Sequence, residues 1–132
     1  MDKAHKIQAR IYYEDTDAGG IVYYSNYLKF AERGRTEYLR SIGFNHSEIF
    51  HMSKSGFVVK AVDIEYKAPA VLDDLVDIYT KIDQIKNSSI IFTQKVCKNE
   101  KELVYMKVVL VFVNEKLRPS KIPVELKQKV GI

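Results

Sequence analysis

The chain of 132 residues holds one cysteine, Cys97. A single thiol closes no internal disulfide, so folding does not require an oxidising compartment. Long apolar runs are also missing. The longest, Val108 to Val113, is far too short to span a bilayer. The opening MDKAHKIQAR has no apolar core and does not read as a signal peptide, so a reducing cytoplasm is the expected location. No internal repeat, linker or low-complexity stretch divides the chain, and one domain over 1–132 is expected. There is no G-x-S-x-G elbow and no glycine-rich phosphate loop. The three histidines, His5, His46 and His51, show no ligand spacing with cysteine or acid, so no metal site is expected from them.

What is present suits a soluble globular domain. Apolar residues make up 46% of the chain and the net charge is +4, without a concentrated basic block. Residues 6–15 alternate like a first strand, with Ile7, Ala9, Ile11 and Tyr13 on one face. A long helix is predicted from Asn26 to Ile42. Tyr27, Ala31, Gly34, Tyr38 and Ile42 form its apolar stripe, widened by Leu28 and Leu39. Ser25 or Asn26 can cap its start, Arg33 can pair with Glu37, and Gly43 stops it, with Phe44 folding back. Gly34 inside a helix costs about 1 kcal/mol relative to alanine, which a closely approaching sheet would explain. A short helix is predicted over His46 to Met52. Strands follow at Phe57–Lys67, Leu75–Ile85, Ser89–Cys97 and Leu103–Val113, and a last helical turn near Pro123. Short connections demand antiparallel neighbours, so the expectation is α+β, a curled sheet around one long helix.

The chemistry concentrates in YYEDTDAGGIVYYSNY, Tyr12 to Tyr27, where three carboxylates precede two glycines and a helix start. Free amides at a helix entrance can stabilise a developing oxyanion, and a neighbouring carboxylate can attack a carbonyl or activate water. Spacing alone equally allows a plain acidic turn. It fits a calcium loop poorly, because Gly19 occupies the fifth position and Asn26 the twelfth. Cys97 reads as a small buried hydrophobe, the nine tyrosines as mostly core, and His46 and His51 as surface or capping residues.

On these residues the chain resembles the 4-hydroxybenzoyl-CoA thioesterase family of the hotdog superfamily, and within it the bacterial YbgC-like branch. The motif is RIYYEDTDAGGIVYYSNY from Arg10. Glu65–Ile78, Ser89–Val96 and Leu117–Pro123 extend the likeness over nearly the whole chain. The resemblance implies a hotdog fold and hydrolysis of acyl-CoA, with Asp17 as the catalytic carboxylate and the Tyr24 amide as the donor that polarises the thioester carbonyl. Asp15 would be secondary. The family's second wall, here near Gly56, Phe57 and Val58, comes from a neighbouring subunit, implying a homodimer or homotetramer. Arg118 and Lys121 are candidates for the CoA phosphates. No cofactor is implied, CoA being part of the substrate. Tyr24 stands where the YbgC branch commonly has histidine, which bears on substrate preference more than on reaction type. Other readings stand beside it: a module that binds acyl-CoA or acyl carrier protein without hydrolysis, a dehydratase lacking its His and Glu pair, and a nucleic-acid binder lacking a basic stripe.

Overall fold

The computed structural model describes residues 4–130. Its elements run β1 (His5–Arg10), α1 (Asn26–Ser41), α2 (His46–Ser53), β2 (Gly56–Tyr66), β3 (Leu75–Ile85), β4 (Ser89–Lys98), β5 (Lys101–Val113) and α3 (Val124–Val130). The strands form one antiparallel sheet in the order β1-β3-β4-β5-β2, so β1 and β2 are its edges. Alternation decides which side faces inward. Val76, Ile78, Thr80 and Ile82 of β3 are buried, as are Ile90, Phe92, Gln94 and Val96 of β4. Tyr27, Phe30, Ala31, Gly34, Arg35 and Leu39 of α1 are buried on the same core. This is the expected α+β hotdog arrangement.

Helix and sheet approach each other closely at Gly34. A Cβ there would lie 2.7 Å from Thr80 Oγ1, 2.9 Å from Ile78 Cγ2 and 3.1 Å from Gln94 Nε2. The glycine therefore exists for the contact, as its cost inside a helix suggested. Beside it lies a buried polar network. Arg35 Nη1 donates to Gln94 Oε1 at 2.9 Å, and Gln94 Nε2 donates to the Ala31 carbonyl at 2.8 Å and to Thr80 Oγ1 at 2.9 Å. Burial pulls the Arg35 pKa down, with the Glu32 carboxylate opposing. The helix ends as predicted. Gly43 adopts φ +92°, its N–H reaches the Arg40 carbonyl at 3.0 Å, and the Phe44 N–H reaches Leu39 at 2.8 Å, a two-bond glycine stop.

Several expectations fail in detail. β1 ends at Arg10, and Tyr13 turns outward at 82% exposure, because Asp15 Oδ2 accepts the Tyr12 N–H at 2.8 Å and winds Tyr13–Asp15 into a 3-10 turn. Leu28 is exposed even though its position belongs to the helix stripe. Neither Ser25 nor Asn26 caps α1. Ser25 makes no side-chain cap bond, and Asn26 Nδ2 donates to the Asp15 carbonyl at 2.7 Å. Glu37 pairs with Arg40 at 3.4 Å, while Arg33 lies over the Phe30 ring. His46 is half-buried among Phe44 and Phe57, with Nε2 enclosed, so it is not a surface residue; His51 is exposed. The cap of α2 is Asn45, whose Oδ1 accepts the Ser47 and Glu48 N–H groups. Cys97 is buried, and burial pushes its thiol pKa up.

Candidate active site

The acidic segment folds into a tight hairpin. The Gly20 N–H donates to the Asp17 carbonyl and the Asp17 N–H to the Ile21 carbonyl, both at 3.0 Å, and Thr16 bridges Val22. Gly20 sits at φ +80°, the left-handed residue that a three-residue hairpin turn requires. At the base of the hairpin the Tyr23 N–H donates to the Asp15 carbonyl at 3.0 Å, and Asn26 Nδ2 donates to the same oxygen. Asp15 is thus engaged at both ends. Its carbonyl holds the helix entrance and its carboxylate holds Tyr12.

Asp17 projects at the exposed tip, two residues, or roughly 7 Å, along this arm from the Asp15–Tyr23 pair. Its Oδ1 accepts the Gly19 N–H at 2.8 Å. That bond fixes one oxygen and leaves the other unengaged among the described residues. At the helix entrance the N–H groups of Asn26, Tyr27 and Leu28 turn back to the carbonyls of Tyr23, Tyr24 and Ser25. The unspent donors therefore lie one step upstream. Among the described residues, the N–H groups of Tyr24 and Ser25 have no acceptor. A carboxylate and a pair of free amides at the two ends of one hairpin arm can act on a carbonyl from two sides.

The connection after β2 holds this hairpin in place. Val22 N–H donates to the Ala70 carbonyl, Leu72 N–H to Gly20, Ile11 N–H to Asp74, and Asp73 N–H to Ile11, all within 3.1 Å. Asp74 anchors that connection, accepting the Val71 N–H at 2.9 Å and pairing with Lys98 at 2.7 Å. Burial raises the Asp74 pKa, but the Lys98 hydrogen bond, the Val71 N–H and the Lys98 charge outweigh it and hold the carboxyl below its ordinary range. Tyr27 Oη accepts the Ala70 N–H at 3.0 Å, and burial pushes its pKa up.

The remaining candidates lie elsewhere. Gly56, Phe57 and Val58 open β2, ten residues from its far end at Tyr66, which packs on Tyr24 with ring centroids 4.8 Å apart. At 3.3–3.4 Å per residue that is roughly 30 Å. Arg118 and Lys121 belong to the Gly56 end, because Val113 pairs with both Gly56 and Pro119, and the Arg118 N–H is held by Asn114. One chain therefore separates the predicted residues into two groups: Asp15, Asp17 and Tyr24, and Gly56, Phe57, Val58, Arg118 and Lys121. Tyr12, Tyr13, Tyr23 and Tyr24 surround the hairpin at 58–82% exposure, against the expectation that tyrosines serve mostly as core. Their strand and helix spacing does not apply where the chain leaves both elements. No group of three or more His, Cys, Asp or Glu residues gathers as metal ligands among the described residues.

The family model described as the thioesterase-like superfamily matches residues 12–130. The chain belongs to that family. Among curated relatives, the acyl-CoA thioesterase YbgC of Haemophilus influenzae is 39% identical over 96% of this chain and 94% of its own length. The acyl-CoA thioester hydrolase YbgC of Escherichia coli O6:H1 is 41% identical over 86% of each. Among solved structures, a probable thioesterase from Bartonella henselae superposes with a TM-score of 0.88 at 37% identity, covering 91% of this chain and 99% of that one. The chain is a thioesterase of the hotdog fold, of the YbgC-like kind that its motif suggested. No helix among its described residues is long and apolar enough to cross a membrane.

The sequence reading missed two features of this site. One is the scaffold in the connection after β2, which carries only short-range turn signals. The other is Tyr66, which closes the helix entrance from the end of a strand. Its spacing within β2 placed it on a strand face and said nothing about the hairpin it touches.

Proposed function

We propose that this enzyme hydrolyses acyl-CoA thioesters to a free acid and CoA, with Asp17 as nucleophile or general base. The observation that carries the reading is the hairpin itself: Asp17 held through one oxygen at its tip, and the acceptor-free Tyr24 N–H at its base. The thioester carbonyl oxygen meets the Tyr24 amide, which takes up charge as the carbon becomes tetrahedral. Asp17 either adds to that carbon or takes a proton from a water that adds. The C–S bond then breaks and CoA leaves as a thiolate, a leaving group that requires no metal. In the first route a water then cleaves the acyl–Asp17 anhydride, releasing the free acid and restoring the Asp17 carboxylate, and the proton set free is taken up by the CoA thiolate.

The second part of the proposal is a two-fold dimer. β2 is an edge strand eleven residues long with Val58, Val59, Val62 and Tyr66 exposed, a template for pairing with its own copy. Antiparallel pairing about its middle residue, Ala61, would set Gly56–Val58 of one copy beside Ile64–Tyr66 of the other. The two separated groups of candidates would then meet across the seam, with Arg118 and Lys121 near the mouth for CoA phosphates. Cys97, free and buried, is compatible with a reducing cytoplasm.

The test is thiol release from a panel of acyl-CoAs by the parent chain and by Asp17→Asn. The expected result is turnover by the parent and a loss of about 10²–10⁴ or more in the variant, with fold and assembly unchanged. Near-parental rates in Asp17→Asn would reject the assignment. Saturable acyl-CoA binding by the parent with no thiol release would favour a binding module.

A further inference from the structure

Tyr66 is the last residue of β2, yet its contacts belong to the helix entrance. Its ring lies 4.8 Å from that of Tyr24 at 43° and 5.7 Å from that of Tyr27 at 57°. Its hydroxyl donates to the Tyr24 carbonyl at 3.4 Å, an oxygen that also accepts the Tyr27 N–H at 3.3 Å. The residues after it are fixed, since the N–H groups of Lys67 and Ala68 both donate to the Leu103 carbonyl. Tyr66 is therefore a rigid post. It meets the peptide that carries the second of the two free amides, because the Tyr24 carbonyl and the Ser25 N–H are ends of the same unit.

We propose that Tyr66 is a positioning residue that orients the Tyr24–Ser25 peptide and strengthens its N–H as a second donor to the thioester oxygen. This rests on the reading of Tyr24 as the carbonyl-polarising donor. Two acceptor contacts at the carbonyl pull electron density along the peptide and make its N–H a better donor. The tilted ring contact packs Tyr24 against Tyr66 and restrains the helix entrance from which the Tyr24 N–H projects. Burial, and then the proximity of Tyr24, push the Tyr66 pKa up, and the hydroxyl acts as a donor. The tyrosine at position 24 thereby gains a purpose: its ring is what Tyr66 packs against.

The full chain is tested with Tyr66→Phe, which keeps the ring and removes the hydroxyl, and with Tyr66→Leu, which removes both. Kinetics use the best acyl-CoA of the panel. The second readout is the infrared carbonyl band of a ¹³C-labelled thioester bound to Asp17→Asn, with and without Tyr66→Phe. The expected result for Tyr66→Phe is a loss of about 3–10-fold in kcat, KM within about twofold, and an unchanged melting temperature. The bound carbonyl band, displaced to lower frequency by the parent site, should move part of the way back. Tyr66→Leu should lose more kcat than Tyr66→Phe. A kcat for Tyr66→Phe within twofold of the parent, an unmoved band, or a rate loss matched by a loss of stability each overturns the inference. Turnover by Asp17→Asn would instead defeat the underlying catalytic reading, so the two failures are distinct.

Discussion

Replacing Gly34 by alanine sets helix propensity against packing at one position. In an exposed helix interior the change stabilises by about 1 kcal/mol. Here the new methyl would stand 2.7 Å from Thr80 Oγ1 and 2.9 Å from Ile78 Cγ2, and Thr80 and Ile78 are fully buried, so neither can swing aside. Overpacking of this kind costs about 1–3 kcal/mol. The third contact, 3.1 Å to Gln94 Nε2, displaces the amide that satisfies Thr80, Ala31 and Arg35, at about 1–3 kcal/mol for a disturbed buried bond. Subtracting the propensity gain leaves a net loss of about 1–5 kcal/mol, or roughly 3–20 °C in melting temperature for a chain of this size. Urea denaturation of parent and variant, followed by circular dichroism, measures it. Thr80→Ala removes the nearest obstacle, so the double variant should lose less than the two single losses added together. A neutral or stabilised Gly34→Ala, or strict additivity with Thr80→Ala, would refute the claim that the sheet demands glycine there.

Asn26→Ala removes the side chain that ties the helix entrance to the Asp15 carbonyl; it should cost about 1–2 kcal/mol in denaturant and lower kcat, whereas Asn26→Asp should cost more by placing a carboxylate against that oxygen. His46 tests the pH dependence. Burial, followed by the charge of Arg40 and with Arg35 contributing, holds its folded pKa below 6.5, with Glu32 opposing. The unfolded chain therefore binds a proton first as pH falls, and this contribution to stability, full above pH 6.5, drains away below it. His46→Gln should flatten the melting temperature between about pH 7 and pH 5, and an unchanged slope would show that His46 does not titrate in that window.

The inner sheet and the helix were legible because they obey simple periods. Leu75–Ile82 alternates cleanly and, with an irregularity between Ile82 and Gln84, the strand runs to Ile85 as expected, and Gly43 followed by Phe44 stops α1 as a glycine-terminated helix should. Gly34 signalled its contact through its cost. Features that depend on long-range partners were not legible. Asn26 looked like a cap, and only the fold reveals the Asp15 carbonyl 2.7 Å from its amide. Thr80 falls on the buried face of β3, and Gln94 occupies an equivalent place in β4. Polar side chains at inward positions are the sign of a buried network, but only the fold supplies Arg35 as its third member. Leu28 marks the opposite case. Its stripe position predicts burial and the single chain leaves it uncovered, as it does Val58, Val59 and Val62 on the β2 edge.

Those uncovered residues and the roughly 30 Å between Tyr66 and Gly56 pose one question, whether a complete site draws on two copies. Mixed assemblies answer it. Val58→Trp should fill the acyl space with bulk, and Asp17→Asn removes the carboxylate. Each variant alone should turn over slowly. If β2 pairs with its own copy, a dimer of one chain of each kind has one site carrying both defects and one carrying neither. Random mixing makes about half the dimers of this kind, each with one intact site of two, so the mixture should regain about a quarter of the parental rate. Unfolding the two variants together in urea and refolding them provides the exchange, and each variant refolded alone is the control. Recovery requires that residues 17 and 58 of different chains serve one site. No recovery, with both variants folded and assembled, would mean that each chain builds its site from its own residues. The exposed β2 edge would then need another explanation.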